Sequence, residues 1–119
     1  MAAQPTADAR ERFAYRMGGI RLRSAVALAG LVADDEAGPE ADVTLDWAGV
    51  PRRLDGAQAR GPTWELAGDQ FLLAVPGIAR FLLTGGKTVA VEAEAGANAA
   101  DVAAFVEGTA LGILLHQRG

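Results

Sequence analysis

The chain has no cysteine, a single histidine (His116), a single serine (Ser24) and few aromatic residues. Without cysteine there is no disulfide scaffold, no thiol nucleophile and no thiolate metal site, and a reducing cytoplasm is the expected compartment. One histidine cannot supply a multi-histidine metal site. No serine neighbours it in sequence, so a Ser24–His116 catalytic pair has no local support. Basic residues are outnumbered, 11 Lys and Arg against 15 Asp and Glu, giving a net charge of −4 that argues against a surface built to neutralise nucleic-acid phosphates. Met1 to Arg12 lacks an apolar core and is neither a signal peptide nor an anchor. The longest mostly apolar stretch lies at the other end and contains Asp101, Glu107 and glycines, which disfavours a bilayer span. Neither nucleic acid nor membrane is an expected partner.

What is present is a globular composition. Half of the 119 residues are hydrophobic, and a chain of this length buries about two thirds of its unfolded surface unaided. We expect a flexible lead-in over residues 1–12 and one domain over 13–119. Phe13, Tyr15 and Met17 alternate with Ala14 and Arg16, then Gly18-Gly19 interrupts, and Ile20 and Leu22 resume: a strand broken by a bulge or tight turn. Ala33 to Ala41 is acidic and reads as a solvated loop. Val43, Leu45 and Trp47 alternate with polar residues as a half-buried strand. Gly49 to Pro62 is a loop or short edge segment. Strands follow at Thr63–Ala67 and Gln70–Val75, joined by Gly68-Asp69, and at Ile78–Leu83 and Lys87–Glu92 around Thr84-Gly85-Gly86. The predicted fold is α+β: an antiparallel sheet of about five to six strands with one long C-terminal helix across one face.

That helix starts at Asn98, an N-cap residue, with Asp101 as a short capping-box partner. Val102, Phe105, Val106, Thr109, Ile113 and His116 recur at helical spacing, and Ala103, Ala110, Leu111, Leu114 and Leu115 fill most of the remaining circumference. Gln117, Arg118 and Gly119 close it. A helix apolar nearly all round needs cover on two sides, and Gly108 and Gly112 would let another backbone approach. Gly108, Leu111, Gly112, Leu114, Leu115 and His116 are therefore the candidate interface residues, facing a second copy of this chain or another domain.

Few other residues invite a chemical reading. Gly86-Lys87-Thr88 ends like a phosphate loop, but Phe81 stands where its first glycine belongs, and the segment joins two strands instead of opening a helix. It reads as a hairpin turn. His116 in the last helical turn would meet the negative end of the helix dipole. Trp47 and Trp64 read as core or edge aromatics. Arg21, Arg23, Arg52, Arg53 and Arg60 would form an anion-binding patch only if their strand and loop lay side by side.

Val75-Pro76-Gly77-Ile78-Ala79-Arg80-Phe81-Leu82-Leu83, Val89-Ala90-Val91-Glu92 and above all Gly108 to Gly119 carry a resemblance. They resemble the N-terminal domain of HPr serine kinase-like proteins, ATP-dependent enzymes related to HPr kinase/phosphorylase. The resemblance spans about Tyr15 to Gly119 and is strongest from Gln70 onward. In that family the Leu114–Gly119 helix end is followed by a strand and then the phosphate loop, and the phosphoryl acceptor is a serine on a protein or peptide. The phosphate loop, metal-binding aspartate and catalytic segment have no counterpart here, so no catalytic, cofactor or metal residue carries over. The resemblance implies a non-catalytic accessory domain with no activity alone, its helix covered by the kinase core, and ATP and magnesium bound outside it. The residues by themselves leave open a stand-alone module that binds a peptide or protein through a sheet edge or the apolar helix face.

Overall fold

The computed structural model describes residues 12–34 and 41–118. The expected lead-in up to Glu11, most of the acidic loop (35–40) and the closing Gly119 lie outside the described residues. The first alternation forms two strands, β1 (Phe13–Met17) and β2 (Ile20–Ser24), paired antiparallel across Gly18-Gly19. Next come β3 (Val32–Ala33), β4 (Val43–Trp47) and β5 (Ala59–Arg60). A meander completes the sheet: β6 (Trp64–Ala67), β7 (Gln70–Val75), β8 (Ala79–Thr84) and β9 (Thr88–Ala93). The α+β class holds, with one C-terminal helical rod.

The sheet differs from expectation in size and in direction. It has nine strands among the described residues, in the order β3-β1-β2-β4-β9-β8-β7-β6-β5, and β4 runs parallel to both β2 and β9. The edge strands β3 and β5 have two residues each, too few to display an alternation. Parallel neighbours usually announce themselves by a crossover helix. Here the link from β4 in the centre to β5 at the far edge is irregular, so no helical pattern marks it.

Each face of the sheet has its own cover. On one face Val43, Leu45, Phe81, Leu83, Val89 and Val91 are buried beneath the helix. On the other, Leu72, Leu82 and Ala90 pack with Val50 and Leu54 from the β4–β5 crossover. The alternation along β8 serves both, with Phe81 and Leu83 on the helix side and Leu82 on the crossover side.

The helix begins at α1 (Ala99–Phe105), where Asn98 Oδ1 accepts the Asp101 N–H at 2.8 Å, as the sequence implies. Its buried stripe, however, is Val102, Ala103, Val106, Ala110, Leu111 and Leu114, while Thr109 and His116 are exposed. The cause is a wide π turn over Val106–Ala110, in which the Leu111 N–H reaches back to the Val106 carbonyl, before α2 (Leu111–Arg118) resumes. Such a turn holds one residue more than an α turn, a phase change of about 100°. Val102, Ala103 and Val106 repeat their spacing as Ala110, Leu111 and Leu114. In an unbroken α-helix the second trio would sit about 80° off the first. The extra residue returns both trios to one stripe.

The rod ends against the β8–β9 turn. Gln117 Oε1 accepts the Gly86 N–H at 3.1 Å, Gln117 Nε2 donates to the Leu83 carbonyl at 3.2 Å, and Arg118 Nη1 donates to the Gly86 carbonyl at 2.8 Å. Gly85 and Gly86 hold φ of 60° and 69°, with the Lys87 N–H on the Thr84 carbonyl at 3.0 Å. The turn is thus of the mirror-image kind that glycine accepts.

The crossover is held by side chains from the strands beneath it. Glu92 Oε1 accepts the Val50 N–H at 2.7 Å, Arg80 Nε and Nη2 donate to the Val50 carbonyl at 3.3 and 3.2 Å, and Arg80 bonds Glu92 at 2.9 Å. The Val50 N–H, chiefly, holds the Glu92 carboxyl below its ordinary value; burial opposes this, and the charge and hydrogen bond of Arg80, then the charge of Arg52, assist.

Two outcomes follow from these contacts. A β-carbon on Gly86 would lie 2.6 Å from Arg118 Cγ and 3.1 Å from its backbone nitrogen, whereas one on Gly85 would meet only the Asp69 carboxylate at 3.3 Å. Denaturant unfolding should therefore show Gly85→Val destabilised by roughly 1–3 kcal/mol through positive-φ strain, and Gly86→Val by more because the helix end is also displaced. Because the folded Glu92 carboxyl is the stronger acid, its stabilisation is complete above its ordinary value of 4.5 and is lost as pH falls through the lowered folded value. Stability measured at stepped pH should fall over that acid window, and Glu92→Gln should flatten the fall.

Candidate functional site

The outward face of the helix is set by the π turn. With the stripe on the sheet, Gly108, Thr109, Gly112, Leu115 and His116 lie exposed. Leu115, 40% accessible, is one of two exposed large hydrophobic side chains among the described residues, the other being Val32 on the β3 edge. Leu111 and Leu114 face the core instead, so four of the six residues that the sequence marked as an interface share the outer surface and two do not. Both leucines follow the wide turn, whose extra residue rotated them inward.

Beside this face runs an apolar groove of about 510 Å³, bounded by Gly108, Gly112, Ile113 and His116 on the helix and by Leu66 and Phe71 on the sheet. The Trp64 ring stacks on Phe71, centroids 5.7 Å apart and planes 7° from parallel, which backs that wall with a second aromatic. Trp64 is therefore part of the support of this groove. Leu66 and Phe71 were legible as neighbours, since they face each other across the Gly68-Asp69 hairpin. That the helix would run alongside them was not.

A second groove, about 820 Å³, separates residues 25–30 from the first half of the helix. Its walls are mostly alanine and glycine. Glu107 is the one ionisable group lining it, and its carboxylate lies against Gly30.

The remaining candidates disperse. Ser24 is buried, donating its hydroxyl hydrogen to the Val26 carbonyl at 2.7 Å and accepting the Val26 N–H at 2.9 Å, while His116 is exposed at the helix end. Gly86-Lys87-Thr88 lies between two strands, and the polar backbone atoms of Gly86 are taken by the helix end. Trp47 is half-buried at the margin of the main core, and its indole N–H has no acceptor among the described residues. Asp34, read as part of a solvated loop, is instead buried, its side chain 2% accessible and 3.1 Å from the Arg16 guanidinium. The ion pair, invisible to composition, draws it inward. No group of three or more metal-ligating side chains occurs among the described residues. The arginines divide: Arg21 and Arg23 sit on β2, while Arg52, Arg53 and Arg60 gather at the β5 end of the sheet. The helical rod is long and apolar enough to cross a membrane, a test that core helices also pass.

No protein family, no curated protein and no solved structure matches the chain.

Proposed function

We propose that the chain is a non-catalytic accessory domain of an HPr serine kinase-like protein, and that it works by presenting the outer face of its terminal helix to the kinase core. The observation that carries this reading is the helix face itself: two glycines four residues apart, an exposed Leu115 beside them, and an apolar groove alongside. Glycines at that spacing let a second helix approach closely, and an apolar groove with a rigid aromatic wall accepts side chains from it. In this reading the parent phosphorylates a serine on a protein or peptide with ATP, and ATP and magnesium bind in the core and not in this chain. Of the two surfaces a stand-alone binding module would use, the helix face is the better supported, because both sheet edges are strands of two residues. A second copy of the chain can occupy the same face when no core is present.

Sedimentation equilibrium of the chain tests the surface. Self-association is expected, and Leu115→Glu should weaken it about tenfold or more, the equivalent of losing one buried leucine contact. Val32→Glu, exposed on the opposite part of the sheet, should leave it unchanged. A chain that stays monomeric at high concentration counts against the helix face.

A further inference from the structure

On the crossover side of the sheet, at the β5 edge, lies a depression of about 270 Å³ whose floor is Leu72 and Ala74. Arg52, Arg53 and Arg60 line it with one buried carboxylate, Glu65. Arg60 stands opposite Glu65 in the β5–β6 pair, its Nε 3.6 Å from Glu65 Oε1, and the same oxygen accepts the Leu54 N–H at 2.8 Å. Glu65 is therefore engaged. Arg53 makes no ion pair or hydrogen bond among the described residues, and the charge of Arg52 reaches Glu92, which Arg80 and Val50 already hold. Three guanidinium groups and one carboxylate line the depression, a local excess of positive charge in a chain whose net charge is −4. Arg52 and Arg53 are also pre-positioned. Their backbone is fixed on one side at Val50, through Glu92 and Arg80, and on the other at Leu54, through Glu65.

We propose that this depression binds a phosphomonoester dianion. Such a group carries about two negative charges near neutral pH and offers three oxygens to planar guanidinium forks, which take phosphate in bidentate fashion. The volume suits one phosphoryl group and the few atoms that bear it, being below the range of about 300–1,000 Å³ of drug-sized ligand pockets. The apolar floor of Leu72 and Ala74 sharpens the preference, since charges beside low-dielectric walls act more strongly than in water. This site is independent of the helix face and of the accessory-domain reading. The ester is either a free small molecule or a phosphorylated side chain, and both share the recognised chemistry.

Amide NMR titrations of the chain with inorganic phosphate, O-phosphoserine and serine test the proposal. Inorganic phosphate and phosphoserine should shift the amides of Arg52, Arg53, Arg60 and Thr63 saturably, and serine should not. Equal affinities would assign recognition to the phosphoryl group alone, and tighter phosphoserine binding would assign it to the group borne on a side chain. Arg53→Gln should weaken binding about tenfold, the value of one charge-assisted hydrogen bond, with an unchanged melting temperature. Arg53→Lys should fall between the two, and Arg21→Gln should match the unaltered chain. Absence of saturable shifts, or equal losses from Arg53→Gln and Arg21→Gln, would overturn the site.

Discussion

One helix has to keep a single apolar stripe against a sheet for about twenty residues, and the rest of this fold depends on how it does so. The trios Val102-Ala103-Val106 and Ala110-Leu111-Leu114 are both buried, yet their separation does not fit an α-helical repeat. The π turn between them absorbs the mismatch. Without it, the second trio would turn off the sheet and leave Phe81, Leu83 and Val89 partly uncovered. The same turn determines what the helix shows to solvent. Gly108 and Thr109 lie within the wide turn and Gly112 just beyond it, so a packing requirement on the inside produces a narrow glycine face on the outside. It also sets the phase at which the rod ends, bringing Gln117 and Arg118 onto Gly86.

The opposite face of the sheet is closed by different physics. Val50, Leu54 and Leu72 form a small apolar cluster. The irregular crossover above it exposes backbone groups that no strand or helix partner can take. Glu92, Arg80 and Glu65 supply those partners from the sheet, so the polar groups fix the loop instead of being left unmatched. That fixation gives Arg52 and Arg53 a defined place, and the two sides of the sheet thereby carry two chemically distinct surfaces, one apolar and one cationic.

Much of this was legible in the sequence where the signal is local. The Asn98 cap, the Gly68-Asp69 and Gly85-Gly86 hairpins, the alternation of β4 and the break at Gly18-Gly19 each rest on a few adjacent residues, and each was found where expected. The failures share a cause: they depend on residues distant in sequence. The parallel seating of β4 between β2 and β9 is decided by the return of a meander over forty residues later. The inward turn of Leu111 and Leu114 reflects a helical irregularity that spacing rules assume away. Asp34 looked solvated among acidic neighbours, because its Arg16 partner lies on another strand. The arginines were seen as one conditional patch. Sheet order, which no local pattern encodes, splits them.

The most direct test of this account is the stability of the chain with Gly108 deleted, measured by denaturant unfolding. If the π turn holds one extra residue so that both trios share a stripe, the deletion converts it to an ordinary α turn and preserves the register. The unfolding midpoint should then stay the same or rise, and slow amide exchange in α2 should persist. If Gly108 were instead needed for that register, removing it would rotate Leu111 and Leu114 by about 100° away from their buried positions. A loss of about 2–5 kcal/mol, as for emptying a large core site, would contradict the account.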